Sequence, residues 1–168
     1  MKRYILAVLV KNQFGVLNRV TSMFRRRQFN ISTLTVSETE SSAFSRITVL
    51  FEGDSAIKEQ LIDQLYKLNE VVSIKELGSD SSITRELLLI KMKNDPATRE
   101  EIRSAQDAFG AKTVDYSKES IILQLTGNTQ KIDDFINLMR DFEILEICRT
   151  GVVSLERGGE TIIKNTEN

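Results

Sequence analysis

Apolar and polar positions along the first half of the chain predict short strands alternating with two-faced helices. A continuous apolar run, Tyr4–Val10, predicts a strand that is buried on both faces. Apolar residues then recur at helical spacing from Val16 to Phe24, which predicts an amphipathic helix. Two further strands are predicted, Ile31–Ser37 and the alternating segment Ile47–Phe51.

A second helix and a fourth strand complete this half of the chain. Gly53-Asp54-Ser55 has the chemistry of a turn followed by a helix N-cap. Apolar residues follow at helical spacing from Ile57 to Leu68, and Val71–Leu77 predicts a strand. The predicted order of elements is therefore β-α-β-β-α-β.

The second half of the chain repeats this order after a short polar segment, Gly78–Thr84, which we interpret as a linker. Asp95 and Pro96 predict the N-cap and the first position of a helix, and Gly110 predicts its end. The other elements are predicted at Leu87–Met92, Lys112–Tyr116, Ile121–Leu125, a helix over Ile132–Met139, Ile144–Cys148 and Val152–Leu155.

Two β-α-β-β-α-β units in tandem predict an α+β protein with two ferredoxin-like domains. The predicted bounds are a first domain over 1–77, a linker over 78–84, a second domain over 85–158 and a polar tail over 159–168. Domains this small have thin cores, so the second sheet face and the edge strand need cover. A second copy of the chain could supply that cover, and we expect a homodimer or a larger assembly.

Composition argues against several classes of function. The 168 residues include 23 basic and 24 acidic side chains, and this balance argues against a nucleic-acid or membrane-surface binder. No apolar run is long enough to span a bilayer. The single cysteine, Cys148, is typical of a protein of the reducing cytoplasm, and its apolar neighbours predict a buried position.

The chain contains no histidine, so the commonest general base and the commonest metal ligand are both missing. One cysteine cannot form a zinc site, and we expect no metal in this chain. An enzyme that uses Asp, Glu or Lys is still an alternative. The acidic residues are too numerous for the sequence to select a catalytic pair.

The turn Asn12-Gln13-Phe14-Gly15 between the first strand and the first helix has two interpretations. The residues alone favour a plain turn, in which Asn12 satisfies local backbone groups and Gly15 supplies an unusual backbone angle. The other interpretation is a ligand site. Gly15 would let a ligand approach the backbone, and the free N–H groups at the helix start would attract a carboxylate. Neither glycine-rich phosphate motif is present.

Asn30 is an exposed polar residue at the other end of the same helix. About 12 helical residues span about 18 Å, so Asn12 and Asn30 of one chain cannot hold the same amino-acid-sized ligand. If two chains pack these helices antiparallel about a twofold axis, Asn12 of one chain meets Asn30 of the other. A ligand site shared between chains would couple binding to assembly.

Three stretches resemble the acetolactate synthase small subunit family. They are NQFGVLNRVTSMFRRRQFNISTLTVSETE from Asn12, RELLLIKM from Arg85 and CRTGVVSLERG from Cys148. The resemblance extends from Met1 to about Gly158. It implies that the first domain is an ACT domain, a ferredoxin-like module that binds small effectors.

The resemblance also implies a regulatory subunit without a catalytic centre of its own. Such a subunit activates a large catalytic subunit, which holds thiamine diphosphate, magnesium and FAD, and this chain itself is expected to hold no cofactor. It also confers feedback inhibition by valine or another branched-chain amino acid. The family's effector-binding residues correspond to Asn12, Gly15 and Asn30. Neighbouring positions expected to line the same site are Phe14, Val16, Leu17 and Ile31.

The alternative function is an amino-acid-responsive transcription regulator with an ACT-type sensor. Such a protein needs a DNA-binding module, and no segment outside the two repeats is long enough for one. We therefore expect a cytoplasmic protein that binds a catalytic subunit and an amino acid, without nucleic acid or membrane as a partner.

Overall fold

The computed structural model describes residues 2–163, which form two compact units. Among these residues, the first unit contains 2–83 together with 151–163, and the second is Thr84–Thr150. Each unit carries the β-α-β-β-α-β order, which confirms the predicted tandem ferredoxin-like fold.

The first unit is a four-stranded antiparallel sheet with two helices on one face. Its strand order is β2-β3-β1-β4, so β2 and β4 are the edges. The elements are β1 (Lys2–Lys11), α1 (Val16–Arg26), β2 (Ile31–Glu38), β3 (Phe44–Gly53), α2 (Ser55–Tyr66) and β4 (Val71–Glu76).

The second unit has the strand order β6-β7-β5-β8. Its elements are β5 (Ser82–Lys93), α3 (Arg99–Phe109), β6 (Lys112–Tyr116), β7 (Ser120–Gly127), α4 (Thr129–Met139) and β8 (Ile144–Arg149). A last strand, β9 (Val153–Glu156), pairs with β5, which begins at Ser82 within the first unit.

Strand β1 is buried on both faces, as its continuous apolar run predicts. Alternate residues such as Leu6 and Val8 pack with α1 and α2 in the main core of the first unit. The residues between them, Ala7 and Leu9, belong to a second cluster on the opposite face, hereafter the outer face of the first sheet. Central strands buried on both faces have no polar alternation, because neither side meets water.

The outer face of the first sheet is covered by residues 151–163 of the same chain, which we call the return segment. The backbone N–H of Arg157 donates to the carbonyl of Ser81 at 2.8 Å. Ile162 is buried in the cluster with Ala7, Leu9 and Leu77. The contacts therefore assign residues 151–163 to the first unit, whereas the sequence places 151–158 in the second domain and 159–163 in a polar tail. Much of the predicted need for cover is met within the chain.

The second unit has one core, formed between its sheet and α3 and α4. On the opposite sheet face Leu87, Leu89 and Cys148 are exposed. The prediction of a buried Cys148 is therefore wrong. Cys148 lies on the edge strand β8 and pairs with Leu89 on the face away from the helices, so apolar neighbours do not indicate burial there.

Helix ends mostly follow the predicted chemistry. Asp54 and Asn128 cap α2 and α4, each accepting a backbone N–H at 2.9 Å, and Gly110 ends α3 in the left-handed conformation.

The start of α3 differs from the prediction, because its first residue is Arg99. Asp95 instead forms a tight turn before the helix, with its carboxylate accepting the N–H of Ala97 at 2.9 Å.

Candidate functional site

The turn between β1 and α1 has an unusual backbone. Gly15 lies at the N-cap of α1 with φ 83° and ψ −4°, in the left-handed region. A Cβ atom at this position would meet no other atom within 4 Å. The requirement for glycine thus comes from the backbone angle, and the space beside Gly15 is open.

The first turn of α1 leaves backbone donors available. No side chain caps the helix, and its first turn contains no acidic residue. The N–H of Val16 reaches the carbonyl of Gln13 at 3.3 Å. Within residues 2–163, the N–H groups of Leu17 and Asn18 donate to no protein oxygen. Open donors at the positive end of a helix form a site for an anion such as a carboxylate.

Asn12 is held beside this turn with a fixed orientation. Its amide nitrogen donates to Glu38 Oε1 at 2.9 Å and to the carbonyl of Ser42 at 3.0 Å. Both partners are acceptors, so the amide nitrogen must face them and Oδ1 faces away. Asn12 can therefore accept a hydrogen bond from a ligand, for example from an ammonium group. Nothing in the local sequence marks Glu38 and Ser42 as the residues that orient Asn12.

Apolar surface is also exposed at this end of α1. Phe14 is fully exposed, and Leu17 on the first helical turn is exposed as well. Val16 is buried and packs in the core of the first unit, so only its backbone can contribute to a surface site. An exposed Phe and Leu beside open N–H groups form an amphipathic surface, which an aliphatic amino acid would match.

The structure separates the predicted site residues into two groups. Asn12, Phe14, Gly15, Val16 and Leu17 lie at the start of α1, whereas Asn30 and Ile31 follow its end. The helix has 11 residues, which corresponds to a length of about 16 Å.

The second group begins where α1 ends. The chain turns at Gln28, with φ 56°, and the N–H of Phe29 donates to the carbonyl of Phe24 at 3.0 Å. Asn30 is exposed, and its side chain makes no hydrogen bond to another described residue. Ile31 begins β2 and packs against the core. One chain therefore presents two half-sites at opposite ends of one helix.

A second polar cluster lies in the second unit. Glu86 is 1% exposed and accepts from Thr129 Oγ1 and from Arg149 Nε, both at 2.5 Å, and Arg149 also reaches Asp133 at 2.8 Å. Burial opposes the charge of Arg149, but its hydrogen bonds to the two carboxylates outweigh it and raise the pKa of Arg149. Because these bonds satisfy the buried carboxylate, the cluster is structural.

Residues 2–163 contain no group of three or more His, Cys, Asp or Glu side chains that could hold a metal ion. Within the same range, no helix has both the length and the apolar character that crossing a membrane requires.

Comparisons with known proteins relate the chain to one family. The family model described as "Small subunit of acetolactate synthase" matches residues 85–158, and "AHAS small subunit-like ACT domain" matches residues 6–73. A probable acetolactate synthase small subunit of Archaeoglobus fulgidus is 45% identical over 94% of this chain and 99% of its own length. The Bacillus subtilis acetolactate synthase small subunit is 42% identical, over 94% and 92% of the two chains.

A solved structure shows the same similarity. The crystal structure of the acetolactate synthase small subunit of Thermotoga maritima superimposes with a TM-score of 0.85 at 36% identity. The match covers 95% of this chain and 100% of that one. The similarity therefore includes both repeats.

Proposed function

The chain belongs to the family of acetolactate synthase small subunits, and from that premise we propose that it confers feedback inhibition by valine on a large catalytic subunit. In this proposal the chain also activates that subunit, which holds the thiamine diphosphate, magnesium and FAD. The cytoplasmic location predicted from the sequence belongs to the same proposal.

The observation that carries the proposal is the open start of α1. The N–H groups of Leu17 and Asn18 have no protein acceptor among the described residues and can bind a carboxylate beside Gly15. Oδ1 of Asn12 faces away from Glu38 and Ser42 and can accept from the ammonium group. The exposed side chain of Leu17 can contact the branched aliphatic group.

The second half of the site is proposed to come from a second copy of the chain. Asn30 lies about 16 Å along α1 from the open turn, which is too far for one amino acid. Packing two α1 helices antiparallel would place Asn30 of each chain beside the turn of the other. The sheet edge formed by β2 is adjacent in sequence to Asn30, and pairing there would extend the sheet across the twofold axis.

Inhibition then follows from differential binding. Valine would favour the arrangement of the dimer in which the two half-sites are close together, and the catalytic subunit would respond to that arrangement. A ligand that bound both arrangements equally would have no effect, however tight its binding.

The first test is Gly15→Asp in the enzyme reconstituted with a catalytic subunit. The introduced carboxylate can accept hydrogen bonds from the N–H groups of Leu17 and Asn18. It also repels the carboxylate of valine. We expect the valine concentration for half-inhibition to rise at least tenfold. This change in affinity corresponds to the loss of about one hydrogen bond to a charged group. Activation should persist.

The matched control is Gly110→Asp. Gly110 has the same left-handed backbone, and an added Cβ there also meets no atom within 4 Å. The two variants thus carry similar backbone strain, but Gly110 ends α3 in the second unit. Gly110→Asp should leave valine inhibition unchanged. Full valine sensitivity in the Gly15→Asp enzyme would show that the effector binds elsewhere.

The second test asks whether two chains share the site. In a Cys148→Ser background, chains carrying Asn12→Cys are mixed with chains carrying Asn30→Cys and treated with a bifunctional thiol reagent about as long as an amino acid. We expect cross-linked dimers only in the mixture. Each variant alone places its two thiols at opposite ends of the helix pair, about 16 Å apart. Equal cross-linking of the single variants would contradict the antiparallel arrangement.

A further inference from the structure

A cavity of about 330 Å³ lies between the return segment and the outer face of the first sheet. Its walls come from β3, β4 and the return segment, all within the first unit. The cavity is separate from the turn after β1, because the helices lie on the other face of the sheet. Its volume falls within the range of pockets that bind small molecules.

One wall of the cavity carries a cation that lacks a carboxylate partner. Arg46 of β3 donates from Nη2 to the carbonyl of Ser154 at 2.6 Å, and it forms no ion pair within residues 2–163. Burial lowers the pKa of Arg46, and the nearby carboxylate of Glu40 offsets only part of this effect. A guanidinium has five N–H donors, so most of its hydrogen-bonding capacity is available to an anion.

The opposite charge is present at the same cavity. The side chain of Glu40 is exposed and forms no ion pair with any other described residue. The second cation of the cavity, Lys75, is already neutralised, because it contacts Glu156 and lies 3.4 Å from Glu160. Arg46 and Glu40 are therefore the charged groups that a ligand can recognise.

The rest of the lining is aliphatic. Leu77 and Ile162 are buried at the base of the cavity, and Leu155 stands at its side with a largely exposed side chain. An exposed leucine on a segment that otherwise covers the sheet can contact an aliphatic ligand at little cost.

We propose that this cavity binds a small aliphatic α-amino acid as a zwitterion. Arg46 receives the carboxylate, Glu40 receives the ammonium group, and Leu77, Leu155 and Ile162 contact the side chain. A phosphate ester does not match, because the three carboxylates that line the cavity outnumber its two cations, Arg46 and Lys75, and the net negative charge would repel a dianion. The ligand would hold the return segment against the sheet, because its partners come from both. This second site goes beyond the proposed function and does not depend on it.

The test is calorimetry of the full chain with two probes, valine and 3-methylbutanoate, which lacks the amino group. The measurements use a Gly15→Asp background, in which the turn after β1 is blocked. Glu40→Gln should weaken valine at least tenfold and leave 3-methylbutanoate unchanged, because only valine carries an ammonium group. Arg46→Gln should weaken both probes at least tenfold, because both carry a carboxylate.

Arg46→Gln also removes a hydrogen bond to the return segment, so its melting curve must be compared with that of the parent. Glu40→Gln lies on the surface and tests the proposal independently of folding. When valine is added, the methyl resonances of Leu77 and Ile162 should shift, and the shifts should give the same dissociation constant as calorimetry. The proposal is overturned if valine binds equally to the parent and to Glu40→Gln, or if those methyl resonances stay fixed at saturation. Loss of the proposed inhibition site would leave these results unaffected.

Discussion

The two repeats place an asparagine at the same point of the fold, after the first strand and before the first helix. The backbone N–H of Asn12 donates to the carbonyl of Ala43 at 2.8 Å. In the same way, the backbone N–H of Asn94 donates to the backbone carbonyl of Glu119 at 2.9 Å. Each side-chain amide nitrogen then reaches a serine carbonyl, Ser42 at 3.0 Å or Ser117 at 2.5 Å. Up to this point the two turns are equivalent.

The turns differ in the hydrogen bonds of the asparagine Oδ1 atom and in the charges of the first helical turn. In the second repeat, Oδ1 of Asn94 accepts from Arg99 Nε at 2.8 Å, and the side chain is only 7% exposed. The N–H of Arg99 donates to the carbonyl of Asp95, and Glu100 and Glu101 place negative charge in the first helical turn. In the first repeat the N–H of Val16 likewise donates to a backbone carbonyl, but Oδ1 of Asn12 accepts from no described residue and the first helical turn carries no acidic side chain.

This difference is the reason for proposing a binding site at the first turn and not at the second. Both repeats position an asparagine and a helix start, so the fold alone does not distinguish them. The second repeat satisfies Oδ1 of Asn94 with its own Arg99. The N–H groups of Glu100 and Glu101 also donate to no described protein oxygen, but a carboxylate ligand there would meet the negative charge of these two side chains. The first repeat leaves Oδ1 of Asn12 to a ligand and has no acidic side chain in the first helical turn that would repel a carboxylate.

The outer sheet faces of the repeats differ in the opposite direction from the turns. The return segment buries Ala7 and Leu9 on the first sheet, whereas Leu87, Leu89 and Cys148 remain exposed on the second. The first repeat thus has an open turn and a covered sheet, and the second has a closed turn and an open sheet. Substitutions at matched positions can test each half of this contrast.

The largest expected effect is on stability, from Asn94→Ala compared with Asn12→Ala. Asn94→Ala leaves the carbonyl of the half-buried Ser117 and the side chain of Arg99 without their partner. We expect the free energy of unfolding to fall by about 1–3 kcal/mol, measured by denaturant titration. Asn12→Ala removes an exposed side chain and should cost much less stability, while it weakens valine inhibition in the reconstituted enzyme.

The comparison is informative in both directions. Asn94→Ala should leave valine inhibition intact under conditions where the variant stays folded, because its turn is closed to ligands. If Asn94→Ala reduced valine sensitivity and Asn12→Ala did not, the assignment of the two turns would have to be reversed.

Most of the fold could be predicted from the sequence, because the elements carry regular patterns. The unbroken apolar run of β1 and the cap residue Asp54 each have a local physical cause. The candidate residues Asn12, Gly15 and Asn30 follow from the family resemblance, since turn chemistry alone favours a plain turn, and helix length only places Asn12 and Asn30 too far apart within one chain. Whether two chains complete the site stays a prediction.

The features that the sequence does not indicate depend on non-local contacts. Ile162 is buried within a polar stretch, and no periodic pattern marks a segment that lies across a sheet. Cys148 has apolar neighbours, Leu145 and Ile147, but all three are exposed on an edge strand. The buried Glu86 is stabilised by Arg149, which lies 63 residues further along the chain.

The smallest expected effect is on stability from Cys148→Ser, and the same position reports on the open sheet. Because Cys148 is exposed and makes no core contact, Cys148→Ser should change the free energy of unfolding by less than about 0.5 kcal/mol.

In the parent chain a thiol reagent should label Cys148 fully without denaturant. The matched control is Ala7→Cys in the Cys148→Ser background, which places a thiol beneath the return segment. That thiol should react only when the segment opens, since Ala7 is fully buried. Protection of Cys148 in the isolated chain would mean that the second sheet is covered by another copy, and rapid labelling of Ala7→Cys would mean that the first sheet is not covered.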